Sequence, residues 1–264
     1  MENPVVAGVL VALIVPFLGN TLGAALVFLM RHGMSERFTK ALLGFAAGVM
    51  IAASVWSLIT PALEAAEGGP VPAWAPAAVG FLGGMLLLLA IDHFTQHLHV
   101  GSNEPEGPVT TLKKPTMMLF ALAIHNLPEG MAVGVVLAGF LAGDPTITLA
   151  SVVALSLGIA IQNVPEGAVV SLPLTANGMS RPKAFLAGTL CGAVEPVGAV
   201  LMVAITGLVT PLLPYVLAFA AGAMMYVVTE ELIPQTQQGR HTNIGTIGVA
   251  FGFVLMMVLD VALG

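Results

Sequence analysis

Eight apolar runs limit what this chain can fold into. They lie at about 4–30, 40–63, 75–98, 116–141, 147–172, 183–209, 212–234 and 243–263. Each is close to the roughly 20 residues an α-helix needs to cross a hydrocarbon core. No water is present there to satisfy backbone polar groups, so spans of this length are helices. Hydrophobic residues make up 57% of the 264 and charged residues 8%, with a mean hydropathy of +0.97. That balance excludes an ordinary soluble domain. The expected fold is therefore an all-α polytopic membrane protein with eight transmembrane helices, one integral domain over 1–264 in a cell (inner) membrane. The division between the sixth and seventh runs rests on Thr210, Pro211 and Pro214. No cleavable signal is expected, because the first charge is Glu2 and the first run is too long for a signal peptide. Cys191 is the single cysteine, which excludes an intramolecular disulfide and reads as a small core residue.

The basic residues set an orientation. Arg31, Arg37 and Lys40 follow the first run, Lys113 and Lys114 the third, Arg181 and Lys183 the fifth, and Arg240 the seventh. All lie in odd-numbered connections, whereas Glu64, Glu67 and Asp144 occupy even-numbered ones. By the positive-inside rule the odd connections are cytoplasmic and both termini are extracytoplasmic. The same residues are few and dispersed, which gives no nucleic-acid stripe. The polar segment 99–115 is expected as a cytoplasmic loop.

Within this apolar frame one hexapeptide occurs twice, as His125-Asn-Leu-Pro-Glu-Gly130 and Gln162-Asn-Val-Pro-Glu-Gly167. Ionisable groups at membrane depth mark function by default. On a helix, His125 and Glu129 stack on one face, with Asn126 one step round. Pro128 cannot bond the carbonyl of Ile124, so a kink is expected there, and a freed carbonyl at that depth must line a cavity or meet protein. Gln162, Asn163, Pro165 and Glu166 repeat the pattern on the next, antiparallel span, as in an inverted repeat with a midplane site. Glu195, within Gly-Ala-Val-Glu-Pro-Val-Gly, adds a third carboxylate beside a proline. Imidazole, carboxylate and amide oxygen without thiolate suit Zn(II), Fe(II), Mn(II), Co(II) or Cd(II). Three carboxylates in low dielectric cannot all ionise without a cation, so metal entry is expected to displace protons. A polar clamp between helices is the structural alternative. Two copies plus Glu195, each beside a proline, favour an ion site.

These paired motifs, in the fourth and fifth of eight spans, resemble the ZIP (Zrt/Irt-like) family of divalent metal transporters. Gln162 in place of a second histidine is similar to the GufA-type bacterial branch. The resemblance implies a 3+2+3 arrangement and two metal ions per chain, carried as substrate. One position would use His125, Glu129, Gln162 and Glu166; the other would use Asn126, Glu129, Asn163, Glu166 and Glu195. It also implies a homodimer, and an elevator-type motion of spans one, four, five and six against two, three, seven and eight.

Further polar residues outline a path. Met50 and Ser57 are seven apart, hence on one face of a regular helix, and the resemblance sets that face at the metal entrance. Asp92 and His93 end span three, followed by His97 and His99, and Glu230 and Glu231 lie near the cytoplasmic end of span seven. These are candidate exit ligands. Asp260 reads as interfacial. The expectation is a transporter importing divalent transition metal, with divalent ions and the lipid bilayer as partners. An intramembrane metallohydrolase is the alternative from another class, but no His-Glu-x-x-His occurs. A metal sensor or channel would share the site and differ in flux.

Overall fold

The computed structural model describes residues 4–30, 34–94, 114–176, 178–208 and 212–263. Arg31, His97, His99, Lys113, Thr210, Pro211 and most of the expected loop lie outside the described residues. The described chain holds eight helices long and apolar enough to cross a membrane. They are α1 (Pro4–Leu29), α2 (Glu36–Ala65), α3 (Trp74–Phe94) and α4 (Lys114–Ala142), then α5 (Leu149–Ala176), α6, α7 (Leu213–Gln237) and α8 (Ile244–Leu263).

Three departures from regular helices correct the expected pattern. The sixth run is not one helix: it divides into α6a (Arg181–Gly192) and α6b (Val194–Leu208). Ala193 N–H bonds both Thr189 O and Leu190 O at 3.2 Å. Pro196 lacks the N–H that would bond Gly192 O, which suits the first turn of a new helix. By contrast, α4 and α5 remain single helices through Pro128 and Pro165. Neighbouring helices brace them on both sides of each proline. Finally, α2 and α7 each contain a π-helical stretch, Ser54–Ile59 and Val228–Leu232. Such wide turns shift the phase of everything beyond them.

Backbone-to-backbone seams build the packing. The most extensive contacts pair α1 with α5, α2 with α8, α3 with α7 and α4 with α6b. Each seam has two glycines one turn apart on the earlier helix, and Gly167, Gly222, Gly248 and Gly252 make the same approach from the later helices. A Cβ on Gly23 would lie 2.1 Å from Val164 O, and one on Gly84 would lie 1.9 Å from Phe219 O. Gly48 meets Val249 O and Gly130 meets Glu195 O in the same way. Small residues admit this approach, where dispersion and main-chain contacts replace a hydrophobic driving force. Between these pairs the contacts are softer. A Cβ on Gly158 of α5 would meet the Met256 side chain of α8, and Gly139 of α4 faces Ile147 and Leu213 side chains.

Candidate metal centre

The seven residues of the expected centre are all buried: His125, Asn126, Glu129, Gln162, Asn163, Glu166 and Glu195. Helices α4, α5 and α6b carry them; hydrogen bonds join Glu129, Gln162 and Asn163, and His125 lies instead against Glu231 of α7. Gly130 permits α4 to lie directly on the backbone of Glu195, so the third carboxylate enters at the level of the first hexapeptide. Gln162 Nε2 donates to Glu129 Oε1 across the α4–α5 contact, and to Asn163 Oδ1 at 2.5 Å. Asn163 Nδ2 in turn donates to Pro16 O of α1 at 3.2 Å, which orients its oxygen towards Gln162.

The acceptors outnumber the donors. Glu129 Oε2, Gln162 Oε1, both oxygens of Glu166 and both of Glu195 are buried with no hydrogen-bond partner. Glu166 lies within electrostatic reach of Glu129, Glu195 and Glu231. Among the described residues, no three His, Cys, Asp or Glu side chains stand close enough to hold an ion by themselves. A cation there requires the amide oxygens, or a small convergence of the carboxylates. Gln162 presents its NH₂ to Glu129, so its oxygen faces an ion only after the amide rotates.

Glu231 sits deeper than its sequence position implied. It lies in the π-helical stretch of α7, is 4% exposed, and its Oε2 lies 3.1 Å from His125 Nε2. Glu230, its neighbour, is exposed. The two acids expected together are thus separated, one against the centre and one on the surface. An acid inside an otherwise apolar run was the available signal; which of the two acids faces inward was not readable.

The remaining path residues scatter. Met50 is fully buried in the apolar core, whereas Ser57 Oγ donates to Asp260 Oδ1 of α8 at 2.5 Å. A π-helical stretch, Ser54–Ile59, begins between them, and both side chains are buried. Asp260 is the half-buried partner of Ser57 rather than a solely interfacial residue. Asp92 is buried and accepts from Tyr226 OH of α7 at 2.9 Å, while His93 is exposed.

Comparison with known proteins bears on this arrangement. A family model described as ZIP zinc transporter matches residues 109–260. The zinc transporter ZIPB of Bordetella bronchiseptica is 41% identical over 94% of this chain and 79% of its own length. The chain belongs to the ZIP family. Zinc transporter ZIP11 of Xenopus tropicalis is 36% identical, over 92% of this chain and 93% of its own. Zinc transporter GufA of Myxococcus xanthus is 40% identical over 79% and 81%. In this ZIP chain the matched region contains both hexapeptides, the α6 break with Glu195, and Glu231. Met50, Ser57 and Asp92 precede it.

Proposed function

We propose that this protein imports divalent transition-metal ions, zinc among them and cadmium, iron or manganese as further candidates, through a two-ion centre between α4, α5 and α6b. One observation carries the reading. Six oxygens of Glu129, Gln162, Glu166 and Glu195 are buried without partners. Unpaired polar oxygens in a low-dielectric interior are costly, and divalent cations bound among them would supply the missing partners. His125, Glu129, Gln162 and Glu166 hold the first ion. Asn126, Asn163 and Glu195 join the shared Glu129 and Glu166 around the second. Hard oxygen donors with one imidazole suit Zn(II) or Mn(II) and leave selectivity broad. An ion at His125 would displace Glu231, and that contact supports Glu231 as a ligand on the ion's way towards the cytoplasm.

The seams support an elevator-type motion. Each backbone-to-backbone pair lies wholly within α1, α4, α5 and α6 or wholly within α2, α3, α7 and α8. Between those sets, side chains such as Met256 and Leu213 make the contacts at Gly158 and Gly139, and these are surfaces able to slide. Lys40 Nζ donates to Arg240 O at 2.9 Å. The first and seventh connections therefore meet at one end of the bundle, which supports a common cytoplasmic face for the basic residues and extracytoplasmic termini.

The test is zinc and cadmium entry into proteoliposomes loaded with a metal dye, comparing wild type with Glu166→Ala. Saturable uptake abolished by the substitution is expected. Wild-type protein that binds metal stoichiometrically yet moves none would overturn the transport reading.

A further inference from the structure

Gly130 on α4 packs onto the carbonyl of Glu195, and Gly167 on α5 packs onto the carbonyl of Asn20 in α1. A Cβ on either glycine would lie 2.2 Å from that oxygen. Both glycines close a copy of the hexapeptide. Asn20 therefore stands to the second motif as Glu195 stands to the first, but its side chain does something else. Its Nδ2 donates to Gly188 O of α6a at 3.0 Å. A Cβ on Gly192 would lie 2.1 Å from that same nitrogen, and one on Gly167 would lie 2.8 Å from Asn20 Oδ1. The residue is 1% exposed.

We propose that Asn20 is a positioning residue for the centre: its amide ties α1 and α5 to the last turn of α6a and thereby sets Glu195 relative to Glu166. Gly167 follows Glu166 directly, and Gly192 is the last residue before the break that leads to Glu195. One planar amide, wedged between the two glycines, spans both attachment points. α6b is held to α4 by the main-chain seam at Gly130 and Gly134 and meets α6a at the Ala193 break; the Asn20 amide adds an attachment to α1 on the α6a side of that break. The rest of α1 holds α5 through main-chain seams at Gly19 and Gly23; Ala24, Phe28 and Ser171 also touch α6a, and Asn20 supplies a side-chain hydrogen bond to it.

This inference rests on the two-ion reading for its functional consequence but has a readout independent of it. Glu195 belongs to the second ion position only, so loosening α6 affects the two ions unequally. In Asn20→Leu, which keeps approximate volume and loses the donor, calorimetric titration with Cd(II) is expected to show the second ion bound at least about tenfold more weakly. The first ion stays within about twofold of wild type, less than ~0.5 kcal/mol. Gly192→Ala presses on the amide from the other side and is expected to give the same asymmetric loss. Amide hydrogen exchange over residues 186–195, measured without metal, is expected to accelerate in both variants while α4 and α5 stay protected. Unchanged exchange in that segment overturns the tether. Equal weakening of both ions, with exchange raised throughout, also overturns it, since Asn20 would then be a general scaffold. A wild-type protein that binds a single ion refutes the two-ion reading, and the exchange comparison still decides the tether.

Discussion

Replacing Gly130 by alanine is the sharpest single test of how the centre is assembled. The new Cβ would sit 2.2 Å from Glu195 O and 2.7 Å from Glu195 Cα, against an ordinary contact of 3.4 Å or more. Relief of the clash needs a separation of about 1.2 Å (3.4 less 2.2) between α4 and α6b. Both atoms are main chain, so no side-chain rotation absorbs it. Overpacking of this size costs about 1–3 kcal/mol of stability, which leaves a folded protein. Metal–ligand distances tolerate only ~0.2 Å, so Glu195 is carried out of reach of an ion held by Glu129 and Glu166. His125 and Gln162 stand on α4 and α5 and are not displaced relative to those carboxylates. Calorimetry with Cd(II) on purified Gly130→Ala should show the second ion weakened about 10–100-fold, the usual range for a disturbed supporting contact. The first should be retained. Uptake into proteoliposomes measures whether the second ion is needed for transport. Two ions bound as tightly as in wild type would refute the argument, because α6b could then not be held by this contact.

Two further substitutions probe the donors. In Gln162→His a ring nitrogen replaces an amide whose NH₂ now faces Glu129 and Asn163. Zinc affinity should rise about tenfold, ~1.4 kcal/mol, in dye competition, and an equal or weaker affinity would show that Gln162 is not a ligand. Ser57→Ala removes the donor to Asp260 Oδ1, and Oδ2 is already buried without a partner. Stability in a detergent-unfolding titration should fall by about 1–3 kcal/mol; no change would mean that the α2–α8 hydrogen bond contributes nothing.

Number and type of helix were legible in the sequence because bilayer thickness dictates run length and the absence of water dictates backbone pairing. The two hexapeptides were legible for a related reason. Histidine, glutamate and asparagine are costly at that depth, so a repeated occurrence signals a site, and all of these residues are buried together on α4 and α5.

Other features depended on neighbours. Pro128, Pro165 and Pro196 share one local chemistry, a missing N–H, yet only Pro196 accompanies a broken helix. Glu230 and Glu231 are adjacent in the chain and point in different directions on any helix, but which of the two meets His125 is decided by how α7 packs against α4. Asn20 reads as one polar residue in an apolar run, and its role exists only because Gly167, Gly188 and Gly192 converge on it from two other helices. Apolar length and the expense of buried charge are one-dimensional quantities, readable along the chain. Main-chain contact between helices is a three-dimensional one, and here it decides which carboxylates share a site.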